Sequence, residues 1–306
     1  MTANKSRLEP QSPYWYEDLP GRDATMHTSS EKPPTIVQDL LSMDEHCLEL
    51  SRAASMQRGA GLLFGVGMLV GMLSIADTIA LMLMKGFSKI PLGAALFAVG
   101  LLGFLVAILY VIKKELRTPR DLPVRFCRDT GRVLSMEYVT KLNPFLRWKV
   151  VQSELRWEHL AAEIAKISGY NGKTYSVRYS LIIAECDPGT NRVVRRIVLK
   201  SDELFPAALH QLWACIRDYM ENGPGRLASN SVIVEVSLAR CLLRYYPMLD
   251  FTGEGVRRRE RMHVAARFYS LILFIPLFWV FIPIGFCEYI ALRLAPVLKW
   301  SDLSVK

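Results

Sequence analysis

The chain has 306 residues, of which 51% are apolar and 22% are charged, and its mean hydropathy is +0.19. A soluble surface needs more charge than this, so the composition excludes an ordinary soluble globule. A formal net charge of +9 makes the chain basic. The six cysteines form no CxxC pair, which argues against a disulfide scaffold or zinc ribbon and for reduced thiols.

The N-terminal part of the chain predicts a flexible tail followed by a helix. Residues 1–34 contain five prolines and scattered charge, without the apolar run of a cleavable signal peptide. Thr35 and Gln38 then form a capping-box pattern, and apolar residues follow at helical spacing. We therefore expect an amphipathic helix over residues 35–57, lying along a membrane or against a soluble domain.

Two apolar segments follow, and each is long enough to cross a membrane. Residues 59–84 contain one charge, Asp77, and residues 90–112 contain none. A spanning helix needs about 20 apolar residues. Because only a short connection separates the segments, they predict a transmembrane helical hairpin over residues 58–112.

Small and ionisable residues within this hairpin suggest two roles. Gly61, Gly65, Gly67 and Gly71 form small-xxx-small patterns, which let helix backbones approach closely in lipid. Packing within the hairpin and a homodimer seam both fit these patterns. Asp77 is a candidate intramembrane polar site, since ionisable groups in lipid are often functional. If the span ends at residue 76, however, Asp77 lies among the outer headgroups.

Basic residues cluster at both ends of the region between the hairpin and the last apolar segment. The clusters comprise Lys113, Lys114, Arg117, Arg257, Arg258, Arg259 and Arg261. Positive charge beside a span marks the cytoplasmic side, so residues 113–267 are predicted to be cytoplasmic. The clusters are orientation signals and also candidates for contact with anionic lipid or a protein partner. They lack interleaved aromatic residues, so nucleic-acid binding is not expected.

Residues 113–225 predict a soluble α+β domain. Strand-like runs flank two turn signals, at residues 129–132 and 187–190. Ser201 then opens a helix that closes the domain. Residues 157–167 fit a helix or a strand by composition, and both assignments stay open.

The last part of the chain predicts a return to the membrane. A basic linker over residues 226–267 leads to an apolar segment over residues 268–292, and residues 293–306 form a tail. Pro276 and Pro283 kink or break a helix. The segment is therefore either a kinked span or a re-entrant wedge.

Short motifs follow the two predicted spans in a fixed order: Arg120-Asp-Leu-Pro123, residues 124–133, Asn143-Pro-Phe145, Trp157-Glu-His-Leu160 and Arg217-Asp-Tyr-Met220. Over residues 59–225 this set resembles a family of uncharacterised bacterial inner-membrane proteins, some encoded near type VI secretion or polymorphic-toxin loci. The resemblance implies a two-helix hairpin and a pleckstrin-homology-like antiparallel sheet closed by one helix. It also implies that residues 157–167 form a strand, and it supplies no catalytic residues.

No motif supports catalysis. The histidines stand in no zinc-binding arrangement, and the sequence has no phosphate-binding glycine loop. His159 with Glu158, and His210, would form an acid–base pair only if the fold joined them. We therefore expect no enzyme activity, no cofactor and no metal.

These features predict an α-helical membrane protein with a soluble α+β domain in the cytoplasm. Its expected function is non-catalytic binding at the bacterial inner membrane. The resemblance implies an accessory or immunity protein of a type VI-like system that holds a toxin or secretion component there. The alternative is an anionic-lipid-binding scaffold or sensor, and a channel or transporter subunit would rest on Asp77 and Glu288. Membrane lipids, a protein partner and a homo-oligomer are the predicted partners.

Overall fold

A computed structural model describes residues 5–21, 40–52, 58–170, 175–224 and 236–244, and beyond them 246, 248–251, 255–256, 259–260, 262, 264, 267–268, 272, 276–298 and 300. In chain order the elements are β1 (Trp15–Asp18), β2 (Leu40–Met43), β3 (Cys47–Leu50), α1 (Ala60–Ser74), α2 (Ala76–Lys89), α3 (Pro91–Arg117), β4 (Val124–Cys127), β5 (Arg132–Val139), β6 (Lys149–Arg156), β7 (Leu160–Tyr170), β8 (Tyr175–Cys186), β9 (Val193–Glu203), α4 (Pro206–Asn222), α5 (Leu238–Leu243) and α6 (Phe278–Leu294).

Sheet A is antiparallel and has the strand order β2-β3-β4-β5-β6. The turn predicted at residues 129–132 is confirmed, because β4 and β5 pair across it with Cys127 opposite Arg132. Gly131 has a φ of 60°, a conformation that glycine adopts without steric cost. Local turn chemistry therefore sets the register of this hairpin.

Sheet B is also antiparallel and has the order β1-β7-β8-β9. The second predicted turn is confirmed as well, since β8 and β9 pair on either side of residues 187–192. The open assignment of residues 157–167 is settled in favour of a strand. A 3₁₀ turn over Trp157–His159 precedes β7, which begins at Leu160.

One hydrophobic core joins the two sheets and α4. It contains Phe126 from sheet A, Ile183 from sheet B and Trp213 from α4, each at most 1% exposed. The predicted closing helix is confirmed as α4, which ends before Gly223, a residue with a φ of 82°. Its predicted start at Ser201 is wrong, because Ser201 lies in β9 and the helix begins at Pro206. Its apolar face packs against β7, β8 and β9 of sheet B and contributes to this core.

Polar links join the apolar helices to this domain at one end of α3. Glu115 on α3 accepts hydrogen bonds from the backbone N–H groups of Gly59 (2.8 Å) and Gly61 (3.3 Å), which caps the start of α1. The guanidinium of Arg58 donates to the carbonyls of Thr118 (2.9 Å) and Pro119 just after α3. These contacts join the start of α1 and the end of α3 to each other and to residues 118–119, which lead into β4 of sheet A. They therefore fix the helices relative to that sheet.

The predicted fold class, an α-helical membrane protein with one pleckstrin-homology-like sheet closed by a helix, is wrong. The chain is mixed α+β, with nine strands in two antiparallel sheets and six named helices among the described residues. In that part of the chain, α3 alone is an unbroken helix long and apolar enough to cross a membrane. The first predicted span breaks at Ile75, where α1 and α2 meet at a bend of 58°. The predicted multi-pass arrangement therefore has no support. The prediction failed at this point because the composition of residues 59–84 does not reveal the break at Ile75.

The last apolar segment, residues 268–292, is only partly described by the structure. Its described helix, α6, has 17 residues from Phe278 to Leu294. It packs on α5, where a Cβ at Gly285 would lie 2.9 Å from the Cys241 carbonyl oxygen. Contact with protein therefore covers part of this helix.

The amphipathic helix predicted over residues 35–57 is wrong where the structure describes it, because β2 and β3 occupy this segment. The Asp44 carboxylate accepts from the N–H groups of His46 (2.8 Å) and Cys47 (2.6 Å), which stabilises the turn between the strands. Residues 35–39 and 53–57 lie outside the described residues. The helical spacing misled because the same leucines also fit a buried strand face.

The predicted flexible tail is wrong over residues 5–21. Leu8 and Leu19 are buried, and β1 pairs with β7. Burial alone would raise the pKa of Asp18. Hydrogen bonds from the Arg7 N–H, the Trp15 indole and the Ser6 hydroxyl outweigh this effect, so the pKa lies below its usual range. Proline-rich composition suggested disorder, yet two leucines and one carboxylate hold this segment on sheet B.

Candidate membrane-binding surface

α3 exposes a long apolar surface. In its most apolar stretch, whose mean hydropathy is 2.8, only 6% of the residues are buried. Leu96, Val99 and Leu102 are each at least 62% exposed. Of its 27 residues only Ala94 and Ile108 are buried, so protein contacts cover little of this helix.

The bent pair α1–α2 extends this apolar surface. Phe64, Val70 and Leu73 on α1 are each more than half exposed, as are Leu81 and Met84 on α2. The two helices are long and apolar enough to cross a membrane only when they are taken together. Their bend is the geometry of a broken span or a re-entrant loop. Together, α1, α2 and α3 form an apolar helix group with little protein cover.

The structure divides the four predicted packing glycines into two pairs. A Cβ at Gly65 would lie 2.6 Å from Cγ1 of Ile112, and one at Gly61 would lie 3.3 Å from the Glu115 side chain. At Gly67 and Gly71 a Cβ would meet no atom within 4 Å. The first pair therefore permits close approach of α1 and α3, whereas the second pair faces away from these contacts.

Asp77 lies in the first turn of α2 and is exposed. A carboxylate in the first turn of a helix interacts favourably with the helix dipole. Glu288, the other acid considered for a transport role, is 3% exposed and accepts a hydrogen bond of 2.5 Å from Arg244. The charge of Asp77 is thus stabilised by its position at the start of α2, and the charge of Glu288 by its contact with Arg244.

The predicted basic candidates occupy different environments. The Lys113 ammonium donates to the carbonyls of Pro144 and Leu146 (2.7 Å) and lies 5.0 Å from the centre of the Trp148 ring. Lys114 and Arg117 are exposed in the last turn of α3.

The second basic cluster is only partly described. Arg259 donates to the carbonyls of Met248 (3.2 Å) and Asp250 (2.7 Å). Arg257, Arg258 and Arg261 lie outside the described residues. The geometry of lipid contact can therefore be assessed only at the first cluster.

An aromatic group at the end of α3 was missed by the sequence analysis. The ring of Trp148 lies 5.4 Å from that of Tyr110 on α3 and 5.9 Å from that of Tyr138 on β5. Tyrosine and tryptophan are enriched where a protein crosses the lipid–water interface. The mixture of basic and aromatic residues around position 148 is the sequence signal, but the pairing with Tyr110 depends on the tertiary fold.

The two histidines considered as an acid–base pair do not contact each other in the structure. His159 contacts Glu158 (3.2 Å), whereas His210 contacts Glu17 (2.7 Å), so the two histidines have separate carboxylate partners. No group of three or more His, Cys, Asp or Glu side chains in the described part of the chain could hold a metal ion.

The six cysteines are free thiols, as predicted. Cys47 and Cys127 face each other across β3 and β4 with their sulfurs 2.9 Å apart. Burial and the contact with Cys47 raise the pKa of Cys127 to about 12, so this group is a thiol at neutral pH. A protonated thiol is a poor nucleophile, which makes covalent catalysis by this residue unfavourable.

A cavity of about 340 Å³ lies between the N-terminal segment and the turn joining β8 and β9. Its lining includes basic Arg7, acidic Asp18 and Glu158, and His159. Charges of both signs line it, so its electrostatics favour no class of ligand. The apolar helix group is the stronger candidate for a functional surface.

The fold and this surface define a mixed α+β protein that carries an apolar helix of membrane-spanning length. The chain belongs to the family of unknown function DUF6708, whose model matches residues 101–304. That match extends from within α3 through the C-terminal segment, beyond the part covered by the resemblance described above. No curated protein and no solved structure matches the chain.

Proposed function

We propose that the protein is a membrane-anchored binding protein. In this proposal α3 crosses the bilayer, and the two-sheet domain is held at the membrane surface to bind a partner. One observation carries the anchor: only 6% of the residues in the most apolar stretch of α3 are buried. Exposing apolar surface to water costs about 25 cal/mol per Å², so this helix requires an apolar environment.

The length of α3 fits a bilayer. Its uncharged part, residues 91–112, spans about 33 Å at about 1.5 Å per helical residue. The hydrocarbon core of a bilayer is about 30 Å thick. Lys113 and Lys114 follow this run, and positive charge at this position favours the cytoplasmic side for the domain. The bacterial inner membrane is the location that the resemblance implies, and we retain it in the proposal.

Two features support a binding role for the domain. Among the described residues, β6 lies at one edge of sheet A and β9 at one edge of sheet B, and each pairs along one side. Such edges present backbone groups to which an extended peptide can add as a further strand. The polar links at Arg58 and Glu115 hold the domain in a fixed orientation at the membrane. A toxin or secretion component as the partner stays a prediction from the resemblance.

Membrane fractionation of cells expressing the full chain tests the anchor. We expect the wild-type protein to remain in the membrane pellet after an alkaline carbonate wash. Val99→Arg with Leu102→Arg places two charges near the middle of α3, and each costs about 3 kcal/mol in a bilayer centre. The double variant should leave the pellet. Val194→Arg, at a position that is 60% exposed on β9, is the matched control and should stay with the wild type.

The result that contradicts the anchor is a wild-type protein released by carbonate. A released protein that is a homo-oligomer by light scattering would show that another copy covers α3. Copurification from native membranes in mild detergent then tests the binding role. A stoichiometric protein partner supports it, whereas turnover of a substrate by the purified chain would oppose it.

A further inference from the structure

The loop between β5 and β6, residues 140–148, carries an apolar tip surrounded by basic residues. Leu142 is 91% exposed, Phe145 is 75% exposed and Leu146 is 46% exposed. The basic residues are Lys141 and Arg147 in the loop and Lys149 at the start of β6, and all three are exposed. The segment 140–149 contains no Asp or Glu. Exposed apolar side chains among basic ones are typical of segments that bind the surface of an anionic membrane.

Contacts with α3 fix the position of this loop. The Lys113 ammonium donates to the carbonyls of Pro144 and Leu146, and Pro144 itself is buried. The Asn143 side chain accepts from the Phe145 N–H at 2.8 Å, which shapes the turn at the tip. The loop is therefore held beside the first charged residue after the uncharged run of α3.

This position has a direct consequence if α3 crosses a bilayer. Lys113 then lies where the hydrocarbon core ends, because no charged residue precedes it in residues 90–112. The Tyr110–Trp148 pair lies at the same end of α3, where interfacial aromatic residues are expected. The loop tip, bound to Lys113, lies at the same level as the lipid headgroups.

We propose that residues 140–149 form a second membrane contact, which inserts Leu142 and Phe145 among the lipids and binds anionic phospholipid headgroups through Lys141, Arg147 and Lys149. The proposal rests on the membrane anchor proposed above and names its lipid class. Each basic residue near an anionic surface strengthens binding about fivefold, so three together contribute about a hundredfold. A bilayer fits the site better than a protein groove, since the contact is fixed at the end of the anchor.

Hydrogen–deuterium exchange of the full chain in lipid nanodiscs tests this contact. One set of discs contains phosphatidylcholine alone, and in the other about a third of the lipid is phosphatidylglycerol. We expect backbone amides of residues 140–149 to exchange about tenfold more slowly in the anionic discs. Replacing Lys141, Arg147 and Lys149 by Gln should remove this difference. Replacing Arg178 and Arg195 of sheet B and Arg192 just before β9, all three exposed, by Gln should preserve it.

The apolar part of the contact has its own variant. Leu142→Ser with Phe145→Ser retains all three basic residues and should raise the exchange rate of the loop in both kinds of disc. Because both side chains are exposed in the structure, folding of the domain should not change. Exchange in sheet A checks this expectation.

The possible outcomes separate the two proposals. Full incorporation into discs, with equal loop exchange in both lipids and in detergent, overturns the lipid contact and leaves the anchor in place. Failure of the wild-type chain to incorporate overturns the anchor, and the loop proposal with it. Loop protection that requires an added protein and not anionic lipid identifies a protein-binding loop and also overturns the lipid contact.

Discussion

A methyl group added at Gly65 on α1 should leave stability unchanged or lower it, whereas one added at Gly67 on the same helix should raise it. A Cβ at Gly65 would lie 2.6 Å from Cγ1 of Ile112, well inside the contact distance of about 3.5–4.0 Å. Alanine at position 67 meets no atom within 4 Å. Alanine stabilises a helix interior by about 1 kcal/mol relative to glycine, and this gain applies at both sites.

The expected difference between the two variants is the cost of the contact with Ile112. Overpacking of this kind costs about 1–3 kcal/mol, so Gly65→Ala should range from nearly neutral to about 2 kcal/mol destabilised. For a chain of this size 1 kcal/mol shifts the Tm by about 2 °C. Thermal unfolding of the purified protein in mild detergent should therefore place Gly65→Ala about 2–6 °C below Gly67→Ala.

Ile112→Ala supplies the double-mutant cycle. It removes the atom that meets the new methyl group, so Gly65→Ala in that background should behave like Gly67→Ala. Equal melting temperatures for the two alanine variants in the wild-type background would refute close packing of α1 on α3 at this point.

Two further predictions concern the sheet domain. A hydrogen bond to Asp129 and the charge of Asp129 raise the pKa of His46 above its ordinary value. The attraction between His46 and Asp129 therefore stabilises the fold fully below the unfolded pKa of His46, and this stabilisation is lost as pH rises through the folded pKa. An NMR titration should show this raised pKa, Asp129→Asn should lower it, and an unchanged His46 titration in that variant would count against the pair. Tyr219→Phe removes a hydrogen bond of 2.8 Å to the Asp44 carbonyl and should cost about 1 kcal/mol, or about 2 °C in Tm, whereas Tyr175→Phe at a 62% exposed site should change nothing.

The parts of the fold that the sequence predicted correctly depend on neighbours in the chain. The hairpins at residues 129–132 and 187–190 follow from turn chemistry, and α4 follows from its periodicity and terminal glycine, although the cap predicted at Ser201 lies in β9. Of the strands near the N-terminus, β1 and β3 were missed because they pair with strands far along the chain, and the local β2–β3 hairpin was missed because its leucines also fit a helical face. Cys47 lies opposite Cys127 and Glu17 opposite Ile164, and no local pattern encodes such partners.

The candidate surface divides in the same way. The apolar run of α3 and its basic end are visible in composition, because lipid exposure favours an uncharged stretch of fixed length. The bend at Ile75 and the role of the β5–β6 loop were not predicted. The bend depends on one residue with non-helical backbone angles, and the loop gains its position only from Lys113, 31 residues before Pro144.

The last turns of α3 lie where the helix would leave the bilayer, and they also hold the sheet domain. Lys113 holds the β5–β6 loop, Glu115 caps α1, and the carbonyl of Thr118 receives Arg58. These positions span about 8 Å along the helix axis, close to the thickness of about 5–8 Å for one headgroup layer. The depth of α3 in a bilayer and the orientation of the sheet domain would then be set by the same short segment. A change in that depth would consequently move the loop and both sheets together, so lipid composition would affect the surface offered to a partner.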